Sequence, residues 1–493
     1  MKGDNNMNAS NIFFIVGIVY LINLLSIIAI VYFERKKTIS AVVWILVLTI
    51  LPLIGFILYF IFGKNFHLFQ RKKFKNKREF DALYKSWITD EKHIFKSKNN
   101  TISAEKLEKY HDFIEMNINA GGSIYSQDND ITLFTSAKEN YASLFKDIEN
   151  ASNTVQVFYF SINNDDIGRK FINLLAKKAS DGVRIRLMYD HAGSWISPGS
   201  MFAPLINAGG KVYSFFPLKF GTYTRYNYRN HRKIVIIDGT IAYMGGMNIG
   251  DEYLGLDKRL TPWRDTHIRL TGSAVHSVQL RFLMDWYYSA ENEEKIDDAM
   301  LKRLFPPPVK KGNIGVQLVS SGPDSVVEQI KRGFIKMILS SKEKLYIQTP
   351  YFIPDKPLLD ALQIAAMSGV DVRIMLPSIS DKSYVHKAAH SYIKELLDYG
   401  VKVYFYPGFL HAKMIVMDGD ITSFGSSNMD IRSFMLDFEI NIFIYNSEFS
   451  KKCLDVFEKD MRISKTITKE WCDSKTFWVK FQEGLFRILG PIF

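Results

Sequence analysis

Residues 231–239 read HRKIVIIDG and residues 411–419 read HAKMIVMDG. Each copy sets a histidine two residues before a lysine and closes on Asp-Gly. Each is followed at the same distance by a glycine-to-asparagine phrase, GGMN at 245–248 and GSSN at 425–428. Displacement at a phosphodiester needs a nucleophile, an acid for the leaving oxygen and cations for the phosphoryl oxygens. Two facing His-x-Lys units supply all three. One imidazole attacks phosphorus and the other protonates the leaving alkoxide, while Lys233 and Lys413, helped by Asn248 and Asn428, hold the charge. A single such phrase is a weak signal, and a lone histidine on a strand is more often a satisfied core residue. The repetition, with its matched downstream glycine and asparagine, is what points to catalysis.

The apolar runs IVII and MIVM mark buried strands. Side chains two apart on a strand share a face, so His231 and Lys233 are expected to point the same way, as are His411 and Lys413. Asp238 and Asp418 belong to the catalytic motif, but Asp-Gly is a turn signal, so they are expected to stabilise a turn and need not touch substrate. A reactive histidine needs a partner on its second ring nitrogen. Acidic residues stand at similar places after the two motifs: Asp265 in WRDTHIRL and Glu439 in LDFEINI. Arg225 and Arg229 are candidates to grip a second phosphate, and Asp430, Arg432 and Ser433 to shape a far wall; surface solvation is the competing reading of all five. There is no acidic metal cluster, no zinc spacing and no Gly-rich nucleotide motif, so neither a metal nor another cofactor is expected.

The elements that must position these residues are themselves doubled. Residues 154–160 (TVQVFYF) and 344–352 (KLYIQTPYF) are β-rich, an amphipathic stretch follows each, and a second alternating run comes at 178–190 and 365–377. This is a βαβ pattern. Short runs ending in proline follow at 211–217 and 401–407, and Pro306, Pro307 and Pro308 mark a boundary between the copies. Two α/β units are expected, at 121–308 and 309–493.

The first sixty-odd residues are of another kind. After a tail at 1–10, uncharged stretches at 11–33 and 38–63 each exceed the roughly 20 residues that cross a bilayer as a helix. Pro52 lies in the second, and proline is tolerated in spanning helices. The first stretch is longer than a signal h-region and lacks a small-x-small cleavage site. The pair therefore reads as a hairpin of two membrane helices. Arg35, Lys36 and Lys37 separate the stretches, and seven basic residues between Lys64 and Arg78 follow them. The excess after the second stretch places the C-terminal bulk in the cytoplasm. The run from 64 to 120 reads as a basic linker able to lie on an anionic leaflet. The 493 residues carry a net charge of +12 and are 14% aromatic, which suits an anionic partner, nucleic acid or membrane. Cys453 and Cys472 are too few for a disulfide framework and read as buried thiols.

The doubled motif resembles the HKD pair of the phospholipase D superfamily. ERKK at 34–37, the apolar stretch after it, RNHRKIVIIDG, GGMNIGDEYLG, WRDTHIRLTG, SSGPD at 320–324, QTPYFIPD at 348–355 and FRILGPIF at 486–493 resemble the bacterial cardiolipin synthases within it. The resemblance implies two similar α/β halves packed as a sandwich around one active site and a phosphohistidine intermediate. It makes His231 the nucleophile and His411 the acid and then the base, roles that the near-symmetric motifs allow to be exchanged. It makes Asp265 and Glu439 the acids that orient the imidazoles. The implied reaction joins two phosphatidylglycerol molecules into cardiolipin and releases glycerol, at a bacterial plasma membrane and with no nucleic acid or metal partner. Apolar segments at 195–205 and 215–228 are candidates for a lipid-facing rim, plain core packing being the other reading. Hydrolysis of lipid, phosphatidylserine synthesis and a membrane-tethered nuclease are the rival activities.

Overall fold

The two Asp-Gly pairs make the same turn. Asp238 and Gly239 have φ of 50° and 65°, and Asp418 and Gly419 have 52° and 68°. Two successive positive φ values are the mark of a type I′ turn, whose twist matches that of the strands it joins. Each turn joins a motif strand to the next: Lys233–Ile237 to Ile241–Gly245, and Met414–Met417 to Ile421–Gly425. Asp238 accepts hydrogen bonds from the backbone N–H groups of Ser152, Asn153 and Thr154, at 2.9, 2.7 and 2.8 Å. Asp418 accepts from Lys342, Glu343 and Lys344, at 2.9, 2.8 and 2.8 Å. Each aspartate thereby ties its turn to the start of the neighbouring strand.

The computed structural model describes residues 9–34, 38–62, 104–217, 227–290, 298–309, 312–325 and 327–490. Arg35–Lys37, most of the expected linker with its basic run, Arg225 and the 218–226 part of the expected rim lie outside the described residues.

The strands follow one order twice. Outward from the centre, the first repeat runs Tyr125–Phe134, His267–Thr271, Ile241–Gly245, Lys233–Ile237, Thr154–Tyr159, Arg184–Asp190 and Lys211–Phe215. The second runs Ile314–Ser321, Asp437–Tyr445, Ile421–Gly425, Met414–Met417, Lys344–Gln348, Asp371–Pro377 and Lys402–Tyr406, with Lys465–Ile467 added at its edge. The first strands of the two repeats pair antiparallel, joining both sets in one hydrogen-bonded series. The last three strands of each set are parallel, linked by the helices that the βαβ pattern predicts, Asp166–Ser180 and Lys356–Met367. Lys233–Ile237 and Met414–Met417 are buried at every position, which explains the continuous rather than alternating apolar runs IVII and MIVM.

Two expectations about the N-terminal third change. Residues 104–120 are not linker: Ala104–Gly121 is a helix whose Phe113, Ile114 and Ile118 sit in the core of the second repeat, and its Asn117 donates to Gln317. The stretch 38–63 is not one continuous helix. It forms Thr38–Ile50 and Ile54–Phe62, interrupted at Pro52, which has no N–H for the helical ladder. The second piece folds back on the first. Trp44 and Tyr59 meet edge to face at 5.2 Å, where a straight helix would hold them roughly 22 Å apart. Gly55 permits the approach, since a Cβ there would lie 2.9 Å from the Val47 carbonyl. Among the described residues one helix is long and apolar enough to cross a bilayer, with Phe13–Tyr32 as its apolar stretch.

Candidate active site

Neither motif histidine lies within its strand. Lys233–Ile237 and Met414–Met417 begin after His231 and His411, so the shared-face argument for His and Lys does not hold as stated. A short cross-repeat ladder holds each histidine instead. Arg229–Asn230 pairs in parallel with Asp437–Phe438, and the His231 N–H donates to the Phe438 carbonyl at 2.9 Å. Phe409–Leu410 pairs in parallel with Trp263–Arg264, and the His411 N–H donates to the Arg264 carbonyl at 2.7 Å. The residue after each ladder partner is the acid. Register therefore sets the Glu439 carboxylate 3.0 Å from His231 Nδ1, and the Asp265 carboxylate 2.6 Å from His411 Nδ1. The pairs are crossed: the acid that follows the first motif serves the histidine of the second, and the reverse.

The two pairs are not identical. His231 Nδ1 also lies 3.0 Å from the Ser426 carbonyl, and the Ser426 hydroxyl donates to Glu439. The matching position in the first repeat is Gly246, where a Cβ would sit 2.1 Å from Asp265 Oδ1. The difference between GGMN and GSSN thus sets the space and the partners around each acid. Arg232, fully buried, adds a strut with no counterpart at Ala412: it ion-pairs with Asp285 at 2.5 Å and donates to the backbone carbonyl of Glu439 at 3.1 Å.

His231, His411, Asn248 and Asn428 all line one cavity of about 830 Å³. Phe160 stands edge-on to His231, and Trp263 and Phe409 pack around His411. Asn248 accepts from the Ser161 N–H and donates to the Tyr253 hydroxyl. Asn428 Oδ1 is buried without a hydrogen-bond partner among the described residues. Lys233 and Lys413 lie behind the histidines, and each ammonium donates to its own histidine's carbonyl, at 2.5 and 2.6 Å. Asp238 and Asp418 are spent on the turns at the far ends of the motif strands and do not line the cavity. They stand where the Asp-Gly turn signal put them, apart from the histidines with which the motif groups them.

Burial sets the protonation of the site. It drives His231 well below the usual imidazole range, with Lys233 and Lys413 adding to the effect, and it brings His411 to about 4. It likewise lowers Lys233 to about 7 and Lys413 to about 8. Burial would raise Asp265, but the charges of His411 and Lys413 and its hydrogen bonds hold it low. Glu439 is raised, burial outweighing Lys233 and Ser426. Without substrate the imidazoles are neutral, so Nε2 of each is free to take a bond or a proton.

Among the other candidates, Arg229 lines the cavity 3.7 Å from Asp190, and Arg432 lines it while bound to Asn227 and Asp437. Asp430 caps the helix Ile431–Met435 by accepting from the Ser433 N–H. In the expected rim Trp195 and Ile196 are exposed and line the cavity, whereas Met201, Phe202 and Leu205 are core. Sequence reasoning missed Ser426 as a partner of His231, and Glu252, Tyr253, Tyr351, Asp381 and Lys382 as cavity residues. Glu252 and Tyr253 lie within GGMNIGDEYLG and Tyr351 within QTPYFIPD, segments marked by the resemblance though not these side chains, whereas nothing in the local sequence marks Asp381 and Lys382.

Residues 144–260 and 334–461 match the family described as "Cardiolipin synthase, PLD-like domain", and residues 12–64 match "Phospholipase_D-nuclease N-terminal". A cardiolipin synthase of Listeria monocytogenes serotype 4a is 41% identical over 97% of this chain and 99% of its own length. One of Staphylococcus aureus strain Mu50 is 42% identical over 96% of this chain and 95% of its own. The crystal structure of a phosphatidylserine synthase from Haemophilus influenzae aligns with a TM-score of 0.60 at 14% identity, covering 77% of this chain and 100% of that one, which shows a shared fold. Identity above 40% along nearly the whole chain, in a protein whose two repeats match the same domain, means that it belongs to the phospholipase D-like cardiolipin synthase family.

Proposed function

We infer that this protein is a phosphatidyltransferase that makes cardiolipin from two phosphatidylglycerol molecules and releases glycerol. The observation that carries the mechanism is the crossed pairing of Glu439 with His231 and of Asp265 with His411 around a single cavity. An acceptor on Nδ1 keeps the proton there and leaves Nε2 as the reactive nitrogen. In the first half-reaction His231 Nε2 bonds to the phosphorus of one phosphatidylglycerol. The bond from phosphorus to the glycerol oxygen breaks, and protonated His411 gives that oxygen its proton. In the second, His411 takes the proton from the free hydroxyl of another phosphatidylglycerol, whose oxygen bonds to phosphorus as the P–N bond breaks. His411 ends protonated, as it began, and one phosphodiester replaces another, so no nucleotide is consumed. An arriving phosphate anion favours the charged forms of Lys233, Lys413 and His411, which burial had suppressed. The aromatic walls hold water away from the phosphohistidine.

The membrane arrangement we propose follows from the fold-back at Pro52. At about 1.5 Å per residue, Thr38–Ile50 is too short to span roughly 30 Å of hydrocarbon. The fold-back returns the chain to the side from which it entered. The lysine and arginine residues that flank this segment in the sequence make that side cytoplasmic by the positive-inside rule. The catalytic body lies on the same side.

The test uses the full chain in mixed micelles with phosphatidylglycerol alone, EDTA and no nucleotide, with His231→Ala as control. Cardiolipin and glycerol together, from the wild type only, are the expected products. Phosphatidic acid with glycerol would mean that water is the acceptor. No product would redirect the search to CDP-diacylglycerol and then to nucleic acid.

A further inference from the structure

The last helix, Phe477–Leu489, is built inside out. Glu483 is its buried residue, held by Lys475 at 2.8 Å, with His390 at 3.8 Å. Polar contacts help to dock it: Arg487 donates to Glu395 at 2.7 Å and Lys387 donates to Gln482 at 3.0 Å. Phe486 packs inward against the core of the second repeat, but most of the helix's large apolar residues face outward. Phe477 and Trp478 are 72% and 68% exposed, and Phe481, Leu485 and Ile488 continue the stripe at spacings of three and four. The three aromatic rings cluster on one another, with centroids 5.7 to 6.3 Å apart. A helix that spends its polar groups on the protein and its apolar ones on solvent leaves a surface suited to an apolar medium.

That surface adjoins the cavity mouth. Gly490, just past the helix, lines the cavity, as do Lys382, Tyr384 and Val385 on the neighbouring segment against which the helix packs. Trp195 and Ile196, 74% and 80% exposed, line the same cavity from the first repeat. We propose that the outward face of Phe477–Leu489, together with Trp195 and Ile196, docks the catalytic body onto the bilayer surface, so that phospholipid headgroups enter the cavity directly from the membrane. The chain's own apolar helix at Phe13–Tyr32 provides an anchor in that bilayer. Lys480, exposed on the helix, and Lys382, at the cavity, are cations suited to an anionic leaflet. The proposal rests on the lipid-substrate reading above.

The test labels the full-length protein with a nitroxide in the Trp478→Cys and Phe481→Cys variants, reconstituted in phosphatidylglycerol/phosphatidylcholine vesicles; native Cys453 and Cys472 are buried. Glu149→Cys is the control. Glu149 is exposed, and the nearby Asp238 turn is at the end of its motif strand away from the cavity. Depth is read from accessibility to oxygen and to a water-soluble nickel chelate. Labels at 478 and 481 should favour oxygen, and the control should favour nickel. Labels at 478 and 481 as open to nickel as the control would overturn docking. So would labels shielded from both reagents, the sign of a second copy or another segment covering the helix. Trp478→Glu/Phe481→Glu should lose at least tenfold in rate on vesicles yet stay within twofold on dispersed short-chain phosphatidylglycerol; equal loss on both overturns the proposal. If the wild type makes no cardiolipin in either format, the proposed function fails, and label depth alone decides docking.

Discussion

Replacing each orienting acid by its amide separates two pairs that the sequence presents as equivalent. Asp265 Oδ1 accepts from the Thr266 N–H at 2.7 Å, and Oδ2 faces His411 Nδ1 at 2.6 Å. In Asp265→Asn the Thr266 N–H still needs an oxygen, so the amide oxygen stays there and the NH₂ turns to His411. Nδ1 then becomes an acceptor and the proton moves to Nε2, which can no longer receive one from the attacking hydroxyl. An Asp-to-Asn swap that reverses a catalytic imidazole costs about 10⁴-fold, or roughly 5 kcal/mol of barrier. His231 is protected from that reversal, because the Ser426 carbonyl also stands 3.0 Å from its Nδ1 and accepts only from a protonated nitrogen. Glu439→Gln therefore loses the charge of the partner but keeps the tautomer, a cost of about 1–2 kcal/mol, or roughly 5- to 30-fold. The assay is kcat for cardiolipin formation in mixed micelles, with thermal unfolding in the same detergent to check the fold. Both histidines need a free Nε2 whichever is the nucleophile, so the order of the two losses does not depend on that assignment. A Glu439→Gln loss equal to or above that of Asp265→Asn, with both proteins folded, would refute the tautomer argument.

Three further outcomes follow from the same geometry. Asp238→Ala leaves three backbone N–H groups without their acceptor and puts alanine at a φ of 50°; it should cost about 2–4 kcal/mol of stability while kcat per folded molecule stays within about threefold, and loss of activity at unchanged Tm would return Asp238 to the chemistry. Lys233, with a folded pKa of about 7 against 10.5, binds fewer protons in the folded than in the unfolded state between those values, so its penalty is fullest below pH 7 and fades as pH rises to 10.5. Lys233→Met should therefore raise Tm by several degrees at pH 6–7, an advantage that narrows toward pH 10, and abolish turnover; a lower Tm at pH 7 would count against a costly buried charge. Sulfate, which does not titrate near neutrality, should bind with proton uptake, seen by calorimetry at pH 7 in buffers of different ionisation heat. It should also weaken as pH rises, because an anion raises the lowered values of His411, Lys233 and Lys413; binding without proton exchange would contradict a site neutralised by burial.

What could be read in the sequence was local. The IVII and MIVM runs, the Asp-Gly turns and the doubled βαβ pattern each follow from a few neighbouring residues, and each recurs in the structure. What could not be read depends on long-range placement. Asp265 and Glu439 were visible as acids after each motif, but only the ladders of 229–230 on 437–438 and 409–410 on 263–264 decide which histidine each meets. The last helix shows the same limit. Its stripe of Phe477, Trp478, Phe481, Leu485 and Ile488 has the spacing of a core-facing surface. Only the ion pairs of Glu483 and Arg487 reveal that the opposite face is the one that docks. Pro52 was visible too, but a proline in an apolar stretch can kink a spanning helix or end it. The contact of Trp44 with Tyr59 distinguishes the two.

The crossed pairs also bear on why two repeats are needed at all. A single repeat carries a histidine, a lysine and an acid, yet its acid follows a two-residue segment, 263–264 or 437–438, whose ladder partner lies in the other repeat. Alone, His231 would lack both Glu439 and the Ser426 carbonyl, and Arg232 would lose its bond to the Glu439 backbone. Neither imidazole would have a fixed tautomer, and Lys233 would be a buried ammonium with Glu439, its largest opposing charge, removed. Catalytic competence therefore depends on docking of the repeats: beside the pairing of Tyr125–Phe134 with Ile314–Ser321 that joins the sheets, the two short ladders align each histidine with its acid. A substitution that loosens the interface at Phe438 or Arg264 should impair chemistry before it unfolds either repeat, because the His–acid distances depend on ladder register rather than on the stability of the flanking sheets.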